Sequence, residues 1–243
     1  MAGPYTSLGG DQRAFPPTTW GLLAGMQPGA QRQQEFEVLC RRYWKPIYSF
    51  VRSAWRKSDA DAKDLTQAYF MWLMESDVLA RYQVEVSSFR AYLKGVLRNF
   101  LRGQDRHAGR VKRGGAAAHL PLQSELADLS EVLPDPGAVS PEEAFDRAWF
   151  RELIARGTER ARQEALAAGH EVRFKLFEAY DLAPAGTKPT YEDVGAPYGL
   201  GRTAVRNHLF AMREQVRNAI RAELRETVAT NEQLEAEWNE LFG

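Results

Sequence analysis

One cysteine, Cys40, stands in a chain of 243 residues, so no internal disulfide framework exists. Its place in an apolar helical run fits a small buried hydrophobe. The four histidines, His107, His119, His170 and His208, are dispersed. None has a cysteine or an acid at ligand spacing, which argues against a metal site. Long apolar runs are missing as well, so neither a membrane span nor a secretory leader is expected, and a reducing cytoplasm fits. There is no strand-like alternation of useful length and no internal repeat, which predicts an all-α protein. Without a Gly-rich phosphate loop or a nucleophile–base arrangement, the chain does not read as an enzyme, and no cofactor is expected. Net charge is absent too: 32 Lys and Arg balance 32 Asp and Glu. That excludes a uniformly basic nucleic-acid binder.

The balance conceals strong segregation. Between positions 81 and 113 stand Arg81, Arg90, Lys94, Arg98, Arg102, Arg106, Arg110, Lys112 and Arg113, against only Glu85 and Asp105. Between 125 and 143 stand Glu125, Asp128, Glu131, Asp135, Glu142 and Glu143, with no base. Such blocks suit separate electrostatic roles on one chain. Within the basic block, Phe89, Tyr92, Leu93, Val96, Leu97 and Phe100 follow the spacing of a helix with one buried face. The bases from Arg90 to Arg110 recur at every fourth position, a stripe that winds about 40° per step. A solvated helix ordinarily mixes signs to gain i, i+4 pairs. A stripe of one sign is explained if a polyanion neutralises it, and nucleic acid is the favoured polyanion. An acidic partner protein would serve the same helix and stays open as the alternative.

Residues 1–19, rich in Gly, Pro and Thr, predict a mobile lead-in. A first domain spans 20–113. It opens with a short apolar patch at 20–26, followed by a helix over 31–55 in which Pro46 should produce a kink at a cost of roughly 3 kcal/mol. A second helix over 60–74, capped by Ser58 or Asp59, turns Ala62, Leu65, Tyr69, Trp72 and Leu73 to the core. Its opposite face carries Lys63, Asp64, Gln67, Phe70 and Met71, and apolar residues there imply a cover. Trp44, Trp55 and Trp72 read as core. Residues 114–140, acidic and holding Pro121, Pro134 and Pro136, predict a flexible linker. Ser140-Pro141-Glu142-Glu143 restarts helix as a capping box with proline at the first position. The second domain, 141–229, holds helices towards Ala168 and over Glu171–Tyr180. Residues 230–243 form an acidic, apolar tail that either folds back or holds a partner.

Near the end, TYEDVGAPYGLGRTAVRNHLFAMR (190–213) gives a short helix from Thr190, a break at Gly199 and a second helix from Arg202. Gly195, Gly199 and Val205 hold the offsets of a helix-turn-helix: a small residue at the crossing, a permissive turn and an apolar anchor. Val205, Leu209, Met212 and Val216 then face inward, and Arg202, Thr203, Arg206, Asn207 and Phe210 face outward, where base edges and phosphates are read. Pro197 inside the first helix does not suit the motif.

Four ordered segments, LCRRYWKPIYSFVR (39–52), DAKDLTQAYFMWL (61–73), FRAYLKGVLRNFLRGQDRHAGR (89–110) and the helix-turn-helix stretch, resemble a bacterial RNA polymerase sigma factor of the sigma-70 family, extracytoplasmic-function type. The resemblance covers about residue 18 to the end. It implies two helical domains, sigma-two-like and sigma-four-like, joined by a linker that occupies the polymerase's RNA path. In that family the segment matching 61–73 binds the β′ clamp helices of core RNA polymerase, which places Asp61, Asp64, Gln67 and Phe70 on that surface; the β flap is a further implied contact. The family's basic helix and the loop before it open the minus-ten element of promoter DNA, which assigns Tyr82, Phe89, Arg90, Tyr92, Lys94, Arg98, Asn99, Arg102 and Arg106. Its helix-turn-helix reads the minus-thirty-five element, which assigns Arg202, Thr203, Arg206, Asn207 and Arg213.

The chain departs from the family where Lys63 and Ala68 replace usual acids, which should weaken docking by charge complementarity. Thr66, at the flank of that surface, is a candidate for phosphorylation by a Ser/Thr kinase, since a phosphate adds about −1.5 to −2 charges. An anti-sigma protein is another implied partner. The competing function is a stand-alone helix-turn-helix regulator that binds duplex DNA unaided; a helical adaptor recruited by acidic proteins is the interaction-only reading.

Overall fold

The computed structural model describes residues 30–55, 58–83, 86–111, 140–184, 186–187 and 189–243. Helices account for nearly all of them, and no strand occurs among the described residues. In order they are α1 Ala30–Trp55, α2 Asp59–Glu75, α3 Phe89–Val111, α4 Pro141–Ala167, α5 Glu171–Tyr180, α6 Tyr191–Gly195, α7 Arg202–Arg225 and α8 Asn231–Phe242. Short 3-10 turns, Leu79–Arg81 and Ala196–Tyr198, precede α3 and α7. The expectations for the lead-in, the 20–26 patch and all of the linker but Ser140 fall outside the described residues.

Local chemistry sets most of the boundaries. The Ser58 side chain accepts the Asp61 N–H and starts α2. Ser140 and Glu143 form the reciprocal capping box, with Pro141 at the first helical position. Helix α4 ends at Ala167, and Gly169 takes φ +72, a left-handed value open to glycine without a Cβ penalty. Helix α1 passes through Pro46 without interruption. Thr230 caps α8 by accepting from the Gln233 N–H, so the acidic tail is a helix.

The helices on either side of 112–139 share one apolar core. Helix α1 lies along α4, and α4 in turn packs on α7. Tyr43 of α1 stands edge-on to Phe89 of α3 at 5.8 Å and faces Phe145 of α4 at 6.4 Å. Trp149 and Leu153 continue that layer, fully buried. Burial pushes the Tyr43 phenol up to about 12. Helices α4 and α7 cross at Gly157, where a Cβ would lie 2.8 Å from the Ile220 Cα. Beside that crossing, Glu223 of α7 is buried among Arg156 at 3.3 Å, Arg160 at 3.5 Å and Arg42 of α1 at 3.7 Å. Cys40 is half-buried, and burial is the main reason its thiol is pushed up to about 11.

On the exposed side of α4, Arg162 donates two hydrogen bonds to Glu159, at 2.8 and 2.7 Å, which lower the Glu159 carboxyl to about 2. A carboxylate depressed from 4.5 contributes stability above pH 4.5, and the contribution disappears as pH falls through about 2. A carboxyl carbon titration should therefore place the Glu159 midpoint near 2. Arg162→Ala should return it towards the ordinary glutamate range; an unmoved midpoint would show that the pair does not govern it.

Candidate nucleic-acid interface

Two basic surfaces were expected, and their environments differ. The first is the stripe on α3. Its N-terminal half is covered by the chain's own carboxylates. Arg90 is only 6% exposed, with Asp146 at 3.0 Å, Glu237 at 2.8 Å and Glu240 at 3.1 Å. Its guanidinium lies 4.8 Å from the Trp149 ring centroid. Burial alone would lower the Arg90 pKa; Glu237, Asp146 and Glu240 outweigh it, so the net direction is upward. Lys94 donates to both oxygens of Asp146 at 2.9 Å and lies 5.7 Å from the Phe145 ring centroid. Arg98 pairs with Glu142. Further along, Arg102 is half-buried, and Asn99 and Arg106 are exposed; the Arg110 side chain, Lys112 and Arg113 lie outside the description.

Neither nucleic acid, the favoured polyanion, nor an acidic partner protein is needed to neutralise the first three cations of the stripe in this conformation. Three consecutive cations already have anionic partners, supplied by α4 and α8. The sequence could not show this, because the partners lie 56 and 150 positions from Arg90.

The aromatic assignments beside the stripe also divide. Phe89 is core, 1% exposed, between Tyr43 and Tyr82, so it is no platform for a base in this conformation. Tyr82 and Tyr92 are half-buried at the surface, with their hydroxyls donated to the Ser87 and Val78 carbonyls. Their rings stand 5.3 Å apart.

On α2, Asp61, Asp64 and Gln67 are exposed as expected, and Lys63 is tied to Asp59 at 2.8 Å. Phe70 is not on that face: it is 4% exposed, stacked under Trp44 at 5.8 Å and edge-on to Phe36 at 6.4 Å. A lone helix would present Phe70 to solvent, but Phe36 and Trp44 of α1 lie over that side of α2. The large apolar side chains that remain open there are Met71, Met74 and, contrary to its reading as core, Trp44. Thr66 is corrected likewise. It is wholly buried, and its hydroxyl donates to the Ala62 carbonyl at 2.7 Å, so a kinase cannot reach it in this conformation.

The second surface is the helix-turn-helix. Thr190 and Asp193 form a capping box that opens α6. Pro197 is accommodated because α6 ends at Gly195 and the chain tightens into a 3-10 turn, where proline takes an early position. Gly199 then adopts φ +64. A Cβ on Gly195 would lie 2.4 Å from the Leu200 carbonyl oxygen and 2.7 Å from Val205 Cγ2. Since the nearer obstacle is backbone, Gly195→Ala should cost about 1–3 kcal/mol, read as a lower urea midpoint. A midpoint unchanged from the parent would mean that the turn can relax.

Below the turn, Val205, Leu209, Met212 and Val216 are buried as expected. Above it, Arg202, Thr203, Arg206 and Asn207 are exposed, and Phe210 is 67% exposed. Arg213 differs from its neighbours: it makes two hydrogen bonds to Asp181 at 3.0 and 2.8 Å and faces the Tyr180 ring, which anchors α7 to the end of α5. Cations, amide and hydroxyl on one exposed first turn can contact phosphates and base edges.

No cluster of His, Cys, Asp and Glu suited to a metal occurs among the described residues, and no described helix is long and apolar enough to cross a membrane. Comparison with protein-family models, curated proteins and solved structures finds no match to this chain.

Proposed function

We propose that the chain is a sigma factor of the extracytoplasmic-function type, which binds core RNA polymerase and directs promoter recognition and melting. The observation that carries this reading is the order of four segments in one chain. They are an aromatic helix at 39–52, an acid-bearing helix at 61–73, a basic-aromatic helix at 89–110 and a helix-turn-helix at 190–213. The exposed carboxylates Asp61 and Asp64 with Gln67 would meet the polymerase clamp. Met71 and Met74, open on the same helix, add apolar area that a partner surface could bury. Arg202, Thr203, Arg206 and Asn207 would read duplex DNA.

Promoter melting asks more of the chain. Arg90, Lys94 and Arg98 become free to act on an unstacked strand beside the Tyr82–Tyr92 pair only if α4 and α8 leave α3. The two-domain arrangement with a flexible linker is thus part of this proposal, as a second conformation of the same molecule. Stacking of each captured base would contribute roughly 1–3 kcal/mol.

One observation favours a second reading. In the closed arrangement the helix-turn-helix is open, as a regulator that grips duplex DNA unaided would require, while Arg90, Lys94 and Arg98 of the α3 stripe are covered. Run-off transcription with purified core polymerase separates the two. A sigma factor yields promoter-dependent transcripts only when the chain is added, and Arg206→Ala lowers them. Transcripts that are independent of the chain, together with tight duplex binding by the free protein, would replace the sigma reading with the regulator.

A further inference from the structure

We infer that α4 and α8 form an intramolecular lock over the N-terminal half of the basic stripe of α3, holding the protein in a state in which Arg90, Lys94 and Arg98 cannot engage nucleic acid. This inference rests on the reading that the stripe takes nucleic acid. It names the regulation of that surface.

What covers the stripe has the chemistry of its expected ligand. Towards α3, helix α4 presents the ring of Trp149 under Arg90 and the ring of Phe145 beside Lys94. It adds the carboxylates of Asp146, between Arg90 and Lys94, and Glu142, on Arg98. Helix α8 closes the open end with Glu237 and Glu240, both on Arg90. Aromatic faces and anionic oxygens at successive positions along a cationic rod are what a nucleic-acid strand would supply. The carboxylates thus stand where phosphates would.

The cover is built to persist and also to yield. Glu237 is buried with Arg90, and α8 is fastened by Leu234 in the core, by Phe242 against Phe150 at 5.4 Å and by Trp238 under Arg221 at 5.3 Å. Asp146, Glu142 and Glu240, by contrast, are partly open to water, where added salt or a competing polyanion reaches them. Since cover and stripe belong to one chain, a ligand must displace a group held at high effective concentration. If the open form is a small fraction, apparent affinity falls by that fraction.

The test uses the full chain and a fluorescein-labelled single-stranded DNA 20-mer, read by anisotropy, with hydrogen exchange of residues 231–242 alongside. Circular dichroism checks that each variant is folded. Glu237→Gln with Glu240→Gln, and separately Asp146→Asn with Glu142→Gln, should each tighten binding at least about tenfold. DNA should also strip amide protection from α8 in the parent protein. Adding Lys94→Ala and Arg98→Ala should abolish the gain. As a charge control, Glu159→Gln with Glu171→Gln, on exposed positions away from α3, should leave affinity within about twofold of the parent.

Equal affinities across parent and variants overturn the lock, as do an equal gain in the control or an α8 that stays protected with DNA bound. Run-off transcription on the same proteins separates the two claims. Tighter DNA binding without transcripts in any variant leaves the lock standing and strikes the sigma reading. Transcripts at parental level in every variant, with unchanged DNA affinity, strike the lock alone.

Discussion

Glu223→Gln should destabilise the folded chain by about 3 kcal/mol or more. Glu223 is the buried carboxylate at the junction of α1, α4 and α7, with Arg42, Arg156 and Arg160 around it. For the Arg156 guanidinium, burial is the largest influence and lowers its pKa; Arg42 lowers it further, and Glu223 opposes both. Replacing the carboxylate by an amide keeps the volume and removes the opposing charge. The half-buried guanidinium groups of Arg42 and Arg156 would then lose the buried carboxylate that lies between them. Glu226, which also pairs with Arg42 and Arg160, is far more open to solvent. Glu226→Gln should cost about 1 kcal/mol or less. Urea midpoints of the two variants check the contrast, and equal shifts would show that the surface pair carries as much as the buried one.

Trp149→Ala should lose about 3–5 kcal/mol. The indole is the largest fully buried side chain among the described residues, 1% exposed, in the layer shared by α1, α3 and α4. Truncation leaves a cavity beside Tyr43 and Phe145 and takes away the ring beneath Arg90, a cation–π contact worth about 0.5–2 kcal/mol. Trp149→Phe keeps a ring at the site and should lose less than half as much. The readout is again the urea midpoint at constant slope. A loss for alanine of under about 1.5 kcal/mol would mean that the layer collapses onto the gap, and that α1 and α4 are held together by other contacts.

Helices, caps and turns were legible in the chain alone because their causes lie within a few positions. The spacing of Val205, Leu209, Met212 and Val216 marked a buried face, and all four are inside. Ser140 with Glu143 marked a helix start, and Gly195 with Gly199 marked a close crossing and a left-handed turn. For Phe70 the missing information was a neighbour. Phe70 sits on a side of α2 that a lone helix would show to water, and α1 buries it, whereas Thr66 shares the helical face of Ala62, Tyr69 and Leu73 and is buried with them. Phe89 belongs to the same apolar face as Leu93 and Leu97, so its burial could have been read from the period.

By itself, then, the sequence determined an all-helical chain, the places where its described helices begin and turn, and the segregation of charge into a basic and an acidic block. Periodicity, capping and composition are local or summed properties, and they need no knowledge of distant contacts. Only the tertiary structure decided what neutralises Arg90, Lys94 and Arg98, because Glu142, Asp146, Glu237 and Glu240 reach them across dozens to more than a hundred positions. A charge pattern shows that a counter-charge is needed; which anion supplies it depends on how the helices pack.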